Sequence, residues 1–284
     1  MSSLFKNGRL FITANNRIIT VDAYNGAPLW ELEVPDSRRI GALKNAGHQL
    51  VTDDALYVVT GNDCWLVDPV RGKRRTVLSA PELLDAPQEW GYLNKCGDLL
   101  LGTAQHAGAS FSRHSILTCA LLEGDFRPVV VSRAVFAIDR ATGTTAWTRT
   151  GGAYMNTAIA RAGDRLCFLE ARHGPAVQDD NGRMRINEFL EGETALVAVD
   201  AKTGETRWER PVTYPFQHIL FINATPETVL VSGTYNKTVG DAVQVFYRLL
   251  ACRAENGKPM WEQTFRATNI RGTDFTDPGG THGE

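Results

Sequence analysis

The sequence lacks three features that mark common functional classes: an excess of charge of one sign, a long apolar run and closely spaced cysteines. Its 284 residues include 30 Lys and Arg against 32 Asp and Glu, so no basic surface is expected for nucleic acid or an anionic membrane. No apolar run reaches the roughly 20 residues of a membrane-spanning helix, and the opening MSSLFKNGRLF lacks the layout of a signal peptide. Because 43% of the residues are hydrophobic, the sequence predicts a soluble globular protein with a sizeable core.

Cysteine chemistry and the common catalytic motifs are also missing. The cysteines are odd in number and show no C-x-x-C spacing for zinc, redox chemistry or haem attachment, so they are predicted to be buried strand residues. They are Cys64, Cys96, Cys119, Cys167 and Cys252. No nucleophile elbow, phosphate-binding Walker loop, dinucleotide fingerprint or zinc-protease motif occurs, so an ordinary hydrolase is not expected.

What the sequence does contain is an internal repeat, small-x-Asp-x-x-(Thr/Asn)-Gly-x-x-x-Trp. Three copies are complete and span residues 20–30, 137–147 and 198–208. Two copies are degraded: 66–76 has Thr76 in place of the tryptophan, and 251–261 has Arg253 in place of the aspartate. Five copies of one pattern indicate a repeat architecture.

Each conserved element of the repeat has a mechanical role. The glycine supplies the positive φ that a tight hairpin turn needs, and the aspartate accepts backbone N–H groups across that turn. The tryptophan follows on the next strand, where it can cover the neighbouring repeat. We therefore predict burial between repeats for Trp30, Trp147, Trp208 and Trp261. The contact at Thr76 should be the poorest packed, with Trp65 as a candidate to compensate from the other face of its strand.

Alternating strands precede every copy, and no stretch shows a convincing helical period. One unit is therefore predicted to be a four-stranded antiparallel blade. The predicted fold class is an all-β propeller, incomplete, with about five repeats. At 137–147 and 198–208 the motif fully resembles the docking motif of the pyrroloquinoline quinone (PQQ) repeat propellers, and the resemblance extends from about residue 7 to residue 265.

That resemblance implies several functions, since such propellers include quinoprotein dehydrogenases, outer-membrane assembly scaffolds and sensor domains. The adjacent cysteines of the dehydrogenases are absent here, and residues 179–182 fit an exposed turn better than a calcium loop. Our leading hypothesis is a non-catalytic scaffold that binds a protein partner or small ligand within a larger bacterial protein. The alternative is a PQQ-dependent oxidoreductase domain, with calcium and with PQQ stacked on Trp90. The habit of the family favours a periplasmic or extracellular location.

The repeat count is low for a complete propeller of this family. The turn glycines lie 46 to 71 residues apart along the chain, which fits blades of about 40–45 residues with insertions. We expect residues 1–284 to form a single propeller domain or a fragment of a larger one, with the remaining blades supplied by the same parent chain or by another chain.

Inner strands of a propeller face its central channel, so residues that recur there are candidate ligand-binding residues. Aligning the inner strands gives a predicted ring of His48, Trp90, Asn156, His218 and His282. Such a ring could bind an aromatic or anionic ligand, or a metal through its histidines. Polar residues can also line a solvated channel mouth without binding any ligand, and that alternative stays open.

Two insertions are further candidates because long loops on a rigid scaffold commonly carry function, although many are merely tolerated. Residues 106–131 contain His106, Arg113 and His114, and residues 171–194 contain Arg172, His173 and the pair Arg183 and Arg185.

Overall fold

The computed structural model describes residues 3–14, 16–35, 48–110, 128–178 and 182–267. These residues form three four-stranded antiparallel sheets and one nine-stranded sheet. In the nine-stranded sheet, two groups of four strands are joined where Val131 and Ser132 pair with Met155 and Tyr154. We call the five four-stranded groups blades 1 to 5. The prediction of an all-β propeller is confirmed. Within the described part of the chain, no helix is long and apolar enough to cross a bilayer.

The strands follow one another in simple up-and-down order within each blade. The strands of blade 1 are β1 (Leu4–Lys6), β2 (Arg9–Ala14), β3 (Arg17–Asp22) and β4 (Pro28–Glu33). Those of blade 2 are β5 (Gln49–Val51), β6 (Leu56–Thr60), β7 (Asp63–Val67) and β8 (Arg74–Ser79). Those of blade 3 are β9 (Gln88–Cys96), β10 (Leu99–His106), β11 (Val129–Asp139) and β12 (Thr145–Arg149). Those of blade 4 are β13 (Ala153–Ala162), β14 (Arg165–Ala171), β16 (Thr194–Asp200) and β17 (Thr206–Pro211). Those of blade 5 are β18 (Leu220–Ala224), β19 (Thr228–Val239), β20 (Ala242–Arg253) and β21 (Pro259–Arg266).

The insertion in blade 4 has structure of its own. It contains the short helices α1 (Gly174–Val177) and α2 (Ile186–Leu190), with the two-residue strand β15 (Arg183–Met184) between them. Strand β15 pairs with the start of β11 in blade 3. Helices of four and five residues are too short to leave a helical period in the sequence, which explains why none was predicted.

The repeat motif closes its turn as expected. In blade 4, Oδ1 of Asp200 accepts hydrogen bonds from the backbone N–H groups of Lys202 (2.8 Å) and Thr203 (3.0 Å). Gly204 completes the turn with a φ of +75°, a value that glycine adopts without strain. In blade 5 the backbone alone closes the turn, since the amide of Gly257 donates to the carbonyl of Arg253 at 2.8 Å.

Three of the motif tryptophans bind the next blade in one shared geometry. Nε1 of Trp30 donates to the carbonyl of Pro69 in blade 2, at 3.2 Å. Nε1 of Trp147 donates in the same way to Ala201 of blade 4 (3.2 Å), and Nε1 of Trp208 to Ala254 of blade 5 (2.8 Å). Each indole also packs against the turn glycine of the blade that it contacts, namely Gly72, Gly204 and Gly257.

The prediction of burial holds for Trp147 and Trp208, which are 8% and 9% exposed, while Trp30 is half-buried. It is wrong for Trp261, which is 44% exposed. The reason is that no blade covers the far face of blade 5 among the described residues.

The contact between blades 2 and 3 uses other side chains in place of the missing tryptophan. Leu66, which lies opposite Thr76, packs into the apolar cluster shared by these blades. Arg140 of blade 3 donates to the hydroxyl of Tyr57 at 2.8 Å and pairs with Asp54. The suggestion that Trp65 compensates is wrong, because its ring packs in the cluster of blades 1 and 2.

Candidate functional site

The described structure contains a buried polar cluster where the inner strands of blades 3 and 4 meet. Asn156 lies in an irregular stretch of β13, where the register shifts between Tyr154 and Ile159, and its side chain is fully buried. Its Oδ1 accepts a hydrogen bond from Ser132 Oγ at 2.6 Å, and its Nδ2 donates to Gln105 Oε1 at 2.8 Å. Asn156 of blade 4 therefore links two strands of blade 3.

Gly91 makes this close approach possible. A Cβ atom at this position would lie 2.3 Å from Thr103 Oγ1 and 2.9 Å from both Asn156 Nδ2 and Ser132 Oγ. Those distances are far below van der Waals contact, so any other residue would push the cluster apart. The glycine is required here by the space that the polar side chains occupy.

Glu89 extends the cluster to the surface. Its Oε2 accepts from Gln105 Nε2 (3.4 Å) and Ser110 Oγ (3.2 Å), and its Oε1 accepts from the amide of Gly108 (2.9 Å). A continuous chain of hydrogen bonds therefore runs from the inner strand of blade 4 to the loop that follows β10.

The insertion of blade 4 is fastened over the same loop. Nε of Arg183 donates to the carbonyl of Ala109 (2.8 Å), and its Nη2 donates to the carbonyl of Gly108 (2.7 Å). Nη1 of Arg133 in β11 donates to the carbonyl of Ala176 in α1 at 2.6 Å. We call the surface formed by residues 107–110, 172–178 and 182–193 the cap.

A buried ion-pair network supports the cap from below. The Glu170 side chain is 3% exposed and lies between Arg149 of blade 3 and Arg172, which also pairs with Glu209. Burial alone would raise the pKa of Glu170, but hydrogen bonds from Arg149, Arg172 and Tyr154 outweigh it and hold that pKa below its usual value. Each of these charged groups already has a partner, so the network has a structural role and connects blades 3 and 4.

Trp90, predicted to line the channel, is fully buried in the apolar cluster between blades 2 and 3. Its ring meets Phe136 edge-on, with centroids 5.0 Å apart, and its Nε1 donates to the carbonyl of Tyr92 at 2.9 Å. Successive strand residues point to opposite faces, and Asn156 lies on the Gly91 face of β9. The sheet of blade 3 therefore separates Trp90 from Asn156.

The predicted histidines take different positions. His48 directly precedes β5 and is half-buried, and its carbonyl accepts from the amide of Val59. His218 precedes β18 and lies 3.1 Å from Oδ1 of Asn236. His282 lies outside the described residues. Ligand or metal binding by these residues stays a prediction.

The insertion residues are only partly described. Arg172 and His173 belong to the cap, and Nε2 of His173 lies 3.1 Å from the carbonyl of Phe189. His106 is half-buried at the end of β10. Arg113, His114 and residues 179–181 lie outside the described part of the chain.

The four described cysteines, Cys64, Cys96, Cys167 and Cys252, are free and buried, as the sequence predicted, and Cys119 lies outside the described residues. Burial raises the pKa of the Cys167 thiol to about 12, so this thiol is protonated and unreactive at neutral pH. Across the residues that the structure covers, no group of three or more His, Cys, Asp or Glu side chains is placed to hold a metal ion.

A separate groove of about 390 Å³ lies between blades 4 and 5. Its lining includes Arg210 and Arg248, but both are already engaged: Arg210 donates to the carbonyl of Gly257, and Arg248 pairs with Glu262 at 2.8 Å. An anionic ligand in this groove would therefore compete with these contacts.

Sequence reasoning missed most of the buried cluster. Glu89, Thr103, Gln105 and Ser132 were not among the predicted site residues. The available signal was in β10, where Thr103 and Gln105 interrupt an otherwise apolar strand, Leu99–His106. Buried polar residues in an apolar strand require partners, and these residues find them in Asn156 and Glu89.

Comparison with known proteins supports the repeat type. The family model described as outer membrane protein assembly factor BamB matches residues 131–240, which include both complete copies of the motif in blades 3 and 4. No curated protein sequence matches the chain at a significant level.

Solved structures resemble the chain in fold at low sequence identity. Quinohemoprotein alcohol dehydrogenase from Comamonas testosteroni matches with a TM-score of 0.54 and 12% identity, covering 93% of this chain and 42% of the dehydrogenase. The Pan2 WD40 domain of Neurospora crassa matches with a TM-score of 0.52 and 8% identity, covering 92% of this chain and 64% of that domain. BamB from Moraxella catarrhalis has a TM-score of 0.47 and 13% identity, covering 89% of this chain and 66% of BamB. The chain thus spans less than two thirds of the length of each of these proteins.

Proposed function

Because the chain is a β-propeller built from PQQ-like repeats, we propose that it is a non-catalytic scaffold that binds a protein partner or a small ligand at its cap. The observation that carries this proposal is the fastening of the cap by Arg183 and Arg133, which bind three backbone carbonyls of the loop after β10 and of α1. A loop insertion that is merely tolerated needs no such attachment.

The cap has a buried apolar inner side and an exposed charged outer side. Its inner side chains, such as Ile186 and Phe189, are buried, whereas Arg185, Glu191 and Glu193 are exposed. A rigid surface with exposed charged groups loses little conformational entropy when it binds a partner. This arrangement favours recognition over catalysis.

The inner strand of blade 4 is a second candidate place for a small ligand. Oγ1 of Thr157, next to Asn156 on the inner strand, is buried and has no hydrogen-bond partner among the described residues. A buried hydroxyl of this kind commonly bonds to water or to a ligand. We place the ligand-binding alternative at Asn156 and Thr157.

The test measures binding to a partner with the cap intact and with the cap released. Cross-linking mass spectrometry on cells that express the chain identifies a partner, which is then purified and titrated calorimetrically. Arg183→Ala removes the bonds to Gly108 and Ala109 and should weaken binding at least roughly tenfold. The matched control is Arg207→Ala, an exposed arginine paired with Asp200 in the turn of blade 4, which should bind like the wild type. Equal binding by all three proteins would place the partner elsewhere and overturn the proposal.

The competing function is a PQQ-dependent oxidoreductase, and the observation in its favour is the fold shared with the Comamonas dehydrogenase. The residues present do not fit the cofactor as the alternative requires. Trp90, the proposed stacking platform, is fully buried against Phe136 and its Nε1 is already bonded to Tyr92. Titration with PQQ and calcium provides the test, and a spectral change accompanied by dye reduction would replace the scaffold proposal.

A further inference from the structure

The three tryptophan contacts between blades define a two-part interface. One part is the motif tryptophan, and the other is the turn of the next blade, with its glycine and the carbonyl of the residue after the aspartate or arginine. Trp208, with its partners Gly257 and Ala254, is one of the two buried examples. Within the described residues, blade 5 presents the first part without a partner and blade 1 presents the second part.

Blade 5 exposes an apolar face around Trp261. Trp261 pairs with Ala251, and Phe265 pairs with Tyr247 four residues away on each strand, so these side chains share one face. That face points away from blade 4, because Cys252 belongs to the cluster between blades 4 and 5. Trp261, Phe265 and Tyr247 are 44%, 52% and 39% exposed.

Blade 1 exposes the complementary face. Gly26 has a φ of +74°, like the glycines that receive tryptophans, but nothing lies within 4 Å of the place where its Cβ would be. Phe11 packs against Trp30 toward blade 2, so the neighbouring Leu10 points to the other face, together with Phe5. Phe5 is 59% exposed.

We propose that blade 5 of one copy of this chain docks onto blade 1 of a second copy. In this contact Trp261 stacks on the turn at Gly26 and donates from Nε1 to the carbonyl of Ala23, which corresponds in position to Ala201 and Ala254. We choose a second copy as the occupant because this chain carries both halves of the interface, and in the described part of the chain Trp261 is exposed while the turn at Gly26 is uncovered. Exposed apolar faces of this kind mark interaction surfaces. The contact is head-to-tail, so it builds a ring or an open assembly.

The interface is distinct from the cap, so its test is independent of the proposed function. The mass of the chain is measured by light scattering and analytical ultracentrifugation over a range of concentrations. We expect the wild type to self-associate, and expect Trp261→Glu and Phe5→Glu each to weaken association at least roughly tenfold. Circular dichroism shows whether each variant keeps its strands. The control Val70→Glu, at an equally exposed turn position of blade 2, should associate like the wild type.

Mixing the two variants separates this interface from others. Each variant keeps one intact face, so an equimolar mixture should form a pair that stops at two copies, whereas Trp261→Glu with Phe5→Glu in one chain should stay monomeric. A wild type that is monomeric at all concentrations overturns the proposal. Shielding of Trp261 from acrylamide in that monomer would indicate closure within one chain, and exposure would indicate a different partner. Equal loss of association in Val70→Glu would also overturn it.

Discussion

The indole Nε1 of Trp208 donates a 2.8 Å hydrogen bond to the carbonyl of Ala254, 46 residues further along the chain and in the next blade. The same indole covers Gly257, where a Cβ would lie 2.7 Å from its ring. One side chain thus combines burial of a large ring, a satisfied N–H group and close packing on a glycine. Loss of these contacts should therefore lower the stability of the propeller.

Trp208→Ala should lower the free energy of unfolding by about 3–5 kcal/mol, the usual cost of truncating a buried tryptophan. Trp261→Ala should cost less than about 1 kcal/mol, since 44% of that residue is exposed. Urea unfolding at low protein concentration, where copies stay apart, measures both. Equal losses would show that Trp261 is buried in the monomer.

Gly204→Ala and Gly143→Ala form a matched pair, because both glycines have a φ of +75°. Alanine at this φ costs roughly 1–2 kcal/mol in either turn. At Gly204 the new Cβ would also lie 2.7 Å from the ring of Trp147, whereas at Gly143 it would meet only Leu78, at 3.4 Å. Thermal unfolding should therefore show a larger loss for Gly204→Ala, by at least about 1 kcal/mol. Similar losses would mean that Trp147 moves aside freely.

Thr76→Trp restores the consensus motif and should nevertheless destabilise the protein. Leu66 lies opposite Thr76, where the other blades have Thr20, Ala137, Ala198 or Ala251 opposite the motif tryptophan. A tryptophan facing a leucine overpacks the interface at a cost of about 1–3 kcal/mol. Adding Leu66→Ala should recover most of that loss, as measured by the melting temperature. Stabilisation by Thr76→Trp alone would show that the space beside Leu66 is empty.

The blades and their tryptophan contacts could be predicted because the motif is local: its turn and docking residues lie within eleven positions of the sequence. The copy at 66–76 places the large Leu66 opposite the small Thr76, whereas the other copies place a small residue opposite the tryptophan. This difference was harder to predict because it depends on how two strands pair. Exposure of Trp261 was missed because the motif shows that a tryptophan is available, but not whether a neighbouring blade receives it.

The candidate site was less predictable than the blades. Asn156 was singled out, but the register shift between Tyr154 and Ile159 and the shift between Gly102 and Ala104 change which face a residue occupies. Because side chains alternate along a strand, a shift of one residue moves a group to the opposite face. An alignment of inner strands assumes regular pairing, so it grouped Trp90 with Asn156 although the sheet of blade 3 separates them.

Glu170→Gln should make stability less dependent on acid. The pKa of Glu170 is lowered in the folded protein from an ordinary value of 4.5, so its ionised form adds stability above that pH. This contribution is lost as pH falls below about 4.5 through the lowered pKa. At pH 7 the variant should lose about 3 kcal/mol, because Arg149 loses a buried partner, and the difference from the wild type should shrink on acidification. Chemical unfolding between pH 3 and pH 7 measures this difference in stability.

The control is the exposed Glu193, which lies 3.7 Å from Arg172. Glu193→Gln should change the stability little. A constant difference in stability between wild type and Glu170→Gln across this pH range would contradict the role assigned to Glu170.

Asn156→Ala and Thr157→Val compare two neighbouring residues of the buried cluster. The Asn156 side chain is hydrogen-bonded within the fold, whereas the Thr157 hydroxyl bonds to no described residue. Asn156→Ala leaves Gln105 Oε1 without its 2.8 Å donor and Ser132 Oγ without its 2.6 Å acceptor, so unfolding should become easier by about 2–3 kcal/mol. Thr157→Val removes a buried hydroxyl that bonds to no described residue, and keeps the size of the side chain. Stability should change by less than about 1 kcal/mol, because no protein hydrogen bond is lost.

The second substitution also separates a structural role from a binding role at the same position. A ligand that bonds to the Thr157 hydroxyl should bind Thr157→Val more weakly, although the variant melts at the wild-type temperature. Calorimetric titration of both proteins with the ligand measures this difference. If Thr157→Val destabilises the protein as much as Asn156→Ala does, the hydroxyl has a partner within the fold and Thr157 is not a ligand-binding residue, since a structural hydrogen bond would then account for its burial.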